Sequence, residues 1–162
     1  MNAFLRTIVI GTVLTVGAGS AALAARGADD PVIGTWTLNL DKSKFNPGPA
    51  PKSQTRTYAK TAQGTSLTVN GVAADGSTIS QQATFNYDGK DYPVSGVADY
   101  DTLALRRVNG TTTKSTLKLK GQVIGSTTRT ITDHGKVMTL SSTGKSATGT
   151  SYTNVMVFDK QP

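Results

Sequence analysis

Ser66 to Gly89 reads SLTVNGVAADGSTISQQATFNYDG, two alternating runs punctuated by Asx-Gly steps. In the first run, Ser66 to Val72, Leu67 and Val69 share a face; in the second, Thr78 to Tyr87, Ile79, Ala83, Phe85 and Tyr87 do. A period of two is what a half-buried strand requires. Asp75-Gly76 and Asp88-Gly89 supply the turns, because glycine accepts positive φ at little steric cost. The stretch predicts antiparallel strands joined in sequence order.

The same rhythm runs outward in both directions. Upstream, Gly34 to Leu40 (GTWTLNL) places Trp36, Leu38 and Leu40 on one face. A long connection containing Pro47, Pro49 and Pro51 follows, since proline cannot donate to a sheet ladder, and Gln54 to Thr61 is the next strand. Downstream, Thr102 to Val108 turns at Asn109-Gly110 into Thr112 to Lys120. Val123 to Thr132 turns at Asp133-His134-Gly135 into Lys136 to Ser142. The last strand, Tyr152 to Phe158 (YTNVMVF), is apolar on both faces, so it is expected to pair on both sides. Eight or nine strands in an up-and-down meander suit a barrel closed on itself. A two-sheet sandwich is the alternative.

Composition agrees with an all-β chain. There is no glutamate, threonine and glycine abound, and no helical apolar spacing persists for three turns after the first two dozen residues. Residues 1–24 read as a signal peptide: Arg6, the apolar run Thr7 to Gly17, then Ala22-Leu23-Ala24 as a cleavage motif. An uncleaved membrane anchor is the alternative. Cleavage would leave residues 25–162 as a single β domain, exported to the periplasm or the cell exterior, large enough to bury a core without disulfides. Cysteine is absent, so neither a disulfide nor a lipid-modified N-terminal cysteine can form. Without Arg6 the charge is +6, from 16 basic and 10 acidic side chains. That balance fits a solvated face with weak association to anionic envelope components; nucleic acid is not an expected partner in this compartment.

Gly34-Thr35-Trp36 on the first strand of an exported meander resembles the G-x-W motif of lipocalins, calycin barrels that carry small hydrophobic molecules. The resemblance implies that Trp36 closes one end of the barrel, with Arg129 as the basic residue lying across it. It also implies that the proline-rich Lys42 to Lys52 segment lids the open end. The usual disulfide and the T-D-Y second motif are absent. Over the whole exported part, GTWTLNLDKSKF, DGKDYPVSG and NVMVFDKQ are similar to a group of small exported bacterial proteins of unassigned function.

The densest side-chain chemistry lies in Asp88 to Gly110, with Asp88, Asp91, Asp99, Asp101 and the pair Arg106-Arg107. If Leu103 and Leu105 point inward, so does Arg107; if Val123 and Ile131 do, so does Arg129. A buried guanidinium needs a partner. One reading makes these arginines a site for a carboxylate or phosphate headgroup. The other has Arg107 snorkelling at a strand end and Arg129 stacked on Trp36. Arg107, Arg129, Tyr58, Phe85 and Tyr87 form the candidate ligand-binding set. The aspartates read either as a calcium cluster or as turn residues, with Asp99 and Asp101 paired to Arg106. Inward Thr113, Ser115 and Gln81 leave room for a cavity. His134 is the single histidine and lies in a turn, so catalysis is not expected, nor is a cofactor or metal. Three functions remain in play. The first is a non-enzymatic carrier of a small hydrophobic or amphipathic molecule. The second is an envelope-associated protein with a filled barrel and a basic outer face of Lys114, Lys118 and Lys120. The third is an aspartate-based enzyme.

Overall fold

The computed structural model describes residues 30–162. The signal peptide assigned to residues 1–24 lies outside the described residues. Ten strands run in chain order: β1 (Gly34–Asn46), β2 (Ser53–Thr61), β3 (Gly64–Val72), β4 (Thr78–Phe85) and β5 (Asp88–Ser95), then β6 (Thr102–Arg107), β7 (Thr112–Leu119), β8 (Gln122–Thr132), β9 (Val137–Lys145) and β10 (Ser151–Lys160). Every neighbour pair is antiparallel, and β1 pairs with β10 to close the barrel. Closure removes both edges, which is what the two apolar faces of β10 require. The sandwich alternative is set aside.

Ten strands form where eight or nine were expected, because the Tyr92-Pro93 segment is not an irregular crossing. It is β5, and Pro93 explains its weak signal. The Val94 amide donates to the Asp101 carbonyl on the β6 side at 2.8 Å. Successive amides in a strand point to opposite sides, so the nitrogen of Pro93 faces β4. There the β4–β5 seam holds only Gln82↔Ser95 and Ala83↔Val94 in register. Proline is tolerated where a ladder is already thin.

Two bulges redirect side chains that strict alternation would turn inward. On β1 the pairing with β10 jumps between Asn39 and Lys44. Ser43 Oγ donates to the Asn39 carbonyl at 2.6 Å and accepts from the Val157 amide at 3.0 Å. Leu40, expected inside, is therefore exposed, while the strand continues to Phe45 and shortens the proline connection to residues 47–52. On β8, Leu117 pairs with Gly125 and Lys118 with Val123, leaving Ile124 as the extra residue. Ile124 packs against the core, and Val123, expected inside, is exposed.

The core is one cluster at the end of the barrel opposite the proline connection. Trp36, Phe85, Met138, Phe158 and Val32 are its most buried members. Trp36 Nε1 donates to the Val32 carbonyl at 2.7 Å, which pins the chain entering β1 across the barrel end. The cation on the indole is Lys160, 5.1 Å from the ring centroid, and not Arg129 as the lipocalin resemblance implied. Gly34 makes this packing feasible. Its φ is +131°, and a Cβ there would lie 2.8 Å from Lys160 Cε.

The connection from β5 to β6, residues 96–101, is braced against β4. Gly96 has a φ of +77°, and a Cβ on it would overlap the Ser80 carbonyl oxygen. Gly96→Ala is expected to lower unfolding free energy by about 2–3 kcal/mol, since left-handed strain and a backbone clash add. A urea-denaturation curve checks it; an unchanged midpoint would show that this turn tolerates a side chain.

Candidate functional site

Alternation leaves a hollow in the other half of the barrel. Inward positions on β4, β7, β8 and β9 are occupied by Gln81, Thr113, Ser115, Thr127 and Ser142, too small or too polar to fill the space between sheet walls. The result is a cavity of about 680 Å³, within the range of sites for small organic molecules. The interior is not filled, contrary to the premise of the envelope-protein reading. Leu67, Leu103, Leu105, Leu117, Leu140 and Met156 give the wall its apolar character. At the mouth stand Pro47, Pro49 and Pro51 with Val97, Asp99 and Tyr100 from residues 96–101, so the proline segment does lie over the opening.

The candidate ligand-binding residues fall into two groups. Tyr58, Phe85 and Arg129 line the cavity. Arg107 and Tyr87 sit behind its inner end. Arg107 Nη2 bonds Asp30 Oδ2 at 2.7 Å, and its guanidinium stacks 4.1 Å from the centroid of Tyr87. Alternation thus turns Arg107 toward the barrel end, but as the last residue of β6 it projects past the cavity and pairs outside it. Tyr87 packs edge-on against Phe85, with ring centroids 5.7 Å apart.

Arg129 is buried, with 6% of its surface exposed. Its Nη2 donates to the Tyr87 hydroxyl at 2.8 Å and to Thr113 Oγ1 at 3.1 Å. Its Nε is buried with no partner among the described residues. The guanidinium carbon lies 5.4 Å from the Tyr58 ring centroid and 5.6 Å from that of Tyr87. Burial works against its charge, but the Tyr58 and Tyr87 oxygens more than offset that and hold the pKa up, so the cation persists. A second guanidinium shares the cavity. Arg56, two residues before Tyr58 on the same face of β2, stacks 5.4 Å from the Phe158 ring and donates from Nε to Gln54 Oε1 at 3.2 Å. The sequence reading missed it, although the alternation that made Tyr58 inward makes Arg56 inward as well.

Neither cavity arginine has a carboxylate partner among the described residues. The ion pairs found are Lys42–Asp159, Lys90–Asp88, Arg107–Asp30 and Lys118–Asp91. The aspartates of residues 88–101 are dispersed. Asp88 accepts from the Tyr92 hydroxyl, Asp91 from Lys118, Asp99 from the Ala147 amide and Asp101 from the Lys120 amide. The expected pairing of Asp99 and Asp101 with Arg106 does not form, since each carboxylate instead caps a backbone amide in a facing loop. Near the mouth, burial raises the pKa values of Tyr100 and Tyr152, whose hydroxyls stay neutral at pH 7.

Asp30 anchors the inner end. Burial alone would raise its pKa, but hydrogen bonds from Arg107 and the Val32 amide more than offset this and hold it below 3.8. A depressed carboxylate contributes stability that is present above the unfolded-state pKa and lost as pH falls through the folded-state value. Asp30→Asn is therefore expected to cost about 1 kcal/mol at pH 7. Below the ordinary carboxylate range the difference from wild type should shrink. Urea curves from pH 7 to pH 2 check the sign; a difference that grows on acidification would contradict it.

These features define a ten-stranded antiparallel β-barrel, consistent with a lipocalin-like barrel, enclosing an apolar cavity with two interior arginines. Comparison with protein-family models and with curated proteins found no match.

Proposed function

We propose that this protein is an exported, non-enzymatic binding protein that holds a small hydrophobic or amphipathic molecule inside its barrel. The supporting observation is the cavity of about 680 Å³, whose wall combines leucines with small polar side chains and two arginines and which opens between the proline connection and residues 96–101. Hydrocarbon laid against Leu67, Leu103, Leu105, Leu117 and Leu140 gains the dispersion contacts those side chains lack across the hollow. The A-x-A motif at Ala22 to Ala24 supports export, and the lipocalin-like barrel supports carriage. Native mass spectrometry of the protein recovered from its own exported fraction tests the reading. A retained adduct of a few hundred daltons, displaced by a fluorescent fatty-acid probe, is the expected result. A bare protein that also fails to bind the probe would remove the carrier.

A further inference from the structure

The cavity has a buried cation at its inner end and carboxylates at its mouth. Inside, Arg129 lies over the Tyr58 ring, while Arg56, two residues nearer the mouth on β2, lies over Phe158 and beside Gln54 and Tyr100; neither has a carboxylate partner within ion-pair distance among the described residues. At the mouth stand Asp99, whose Oδ1 accepts from Ala147 N, and Asp75, which accepts from Ser77 and has Lys52 nearby. Among the described residues the acid behind the inner end is Asp30, which Arg107 engages. The Arg129 guanidinium is buried and forfeits hydration. Among the described residues Arg129 hydrogen-bonds from a single nitrogen, to two neutral hydroxyls, and its buried Nε has no partner. Asp30 supports this charge only from behind, across the Tyr87 hydroxyl, and leaves its cavity side open.

Resting on the carrier reading, we infer that the ligand is a hydrocarbon chain ending in an oxyanion, and that it enters head first. The headgroup meets Arg129 beside Tyr58, and the chain extends past Leu103 and Leu117 toward the mouth, where Arg56 and Tyr100 stand. Three features set this direction. An anion at the mouth would face Asp99 and Asp75, whereas one at the inner end meets the Arg129 guanidinium, which has no carboxylate partner within ion-pair distance among the described residues. Arginine donates in a planar fork that fits carboxylate, sulfate and phosphate oxygens. Leu103, Leu105, Leu117 and Leu140 form an apolar strip of the wall beside the neutral Ser115, Thr127 and Ser142, so the chain has an apolar surface to lie on between the two ends.

Binding of dodecanoate, dodecyl sulfate, dodecyl phosphate and dodecanol to the delipidated protein, by calorimetry or probe displacement, tests the headgroup. The oxyanion ligands are expected to bind about tenfold or more tightly than the alcohol, as hydrogen bonds to charged groups do. The ranking among the three names the source class. Equal affinity for dodecanol and the anions would overturn the headgroup inference while leaving the carrier intact; binding of none would remove both. Arg129→Met and Arg129→Gln should each bring the anion-to-alcohol ratio close to one. A ratio preserved in either variant, with its circular dichroism unchanged, would remove Arg129 from the site. Orientation has its own measurement, which uses the wild-type chain alone. The carboxyl ¹³C shift of bound [1-¹³C]dodecanoate should stay that of the anion at pH values where the free acid protonates. A normal titration would place the head in solvent at the mouth and overturn the head-first arrangement.

Discussion

Trp36→Ala is expected to lower the unfolding free energy by about 3–5 kcal/mol, the range for removing a fully buried aromatic side chain. Against a total of about 5–15 kcal/mol for a domain of this kind, that is a third or more of the stability. Three losses coincide at this residue. The indole is completely buried among Phe158, Met138 and Phe85, so its removal opens a void that the barrel strands cannot collapse to fill. The Val32 carbonyl loses the Nε1 donor that holds the entering chain across the barrel end. Lys160, whose stem runs over Gly34 to reach the ring, loses the aromatic face it covers. Trp36 is the chain's single tryptophan, so unfolding of the variant is followed by circular dichroism and not by fluorescence. The urea midpoint should fall with little change in slope. Trp36→Phe, which keeps most of the apolar volume, should recover more than half of the loss. Equal losses in both variants would mean that the hydrogen bond, and not packing, dominates the site.

The elements that were legible in the sequence are those whose signal is local. Asp75-Gly76 marks a turn because glycine tolerates a positive φ, and Asn109-Gly110 marks one because the Asn109 side chain accepts from the Thr111 and Thr112 amides. Thr113, Ser115 and Gln81 indicated a hollow because their size and inward phase can both be read from the chain. The misreadings come from features whose cause is across the sheet. Leu40 and Val123 have the right phase to be buried, but bulges closed by Ser43 and Ile124 reverse them. A one-residue offset carries every later side chain to the other face. β5 was hidden because Pro93 weakens its pattern and only the neighbouring β6 shows that the strand is paired. Arg56 is a different case. Its phase is readable from Tyr58, two residues further along the same strand. Arg107 does turn toward the barrel end, but alternation says nothing about height along the barrel axis, and height is what separates a cavity arginine from one paired with Asp30.

Arg129→Met is expected to make the ligand-free protein more stable, by about 1–3 kcal/mol. The sign follows from what surrounds the guanidinium. Replacing a buried charge by a hydrophobe of similar volume removes its desolvation penalty, and such exchanges are often neutral or stabilising. What is lost here is small. Two hydrogen bonds to neutral hydroxyls go, yet the Tyr87 hydroxyl keeps Asp30, Thr113 can turn to the cavity, and no carboxylate is left stranded because Asp30 stays paired with Arg107. The methionine keeps contact with the Tyr58 and Tyr87 rings through its polarizable sulfur. An arginine retained for structure would give the opposite sign, so urea denaturation of delipidated wild type and variant separates the two roles. Loading adds the second half of the argument. At about a hundredfold excess of ligand over its dissociation constant, binding contributes about 2.7 kcal/mol. Dodecanoate should therefore raise the midpoint of wild type more than that of the variant, and can reverse their order. A guanidinium that weakens the empty barrel and strengthens the filled one is kept for what fills it.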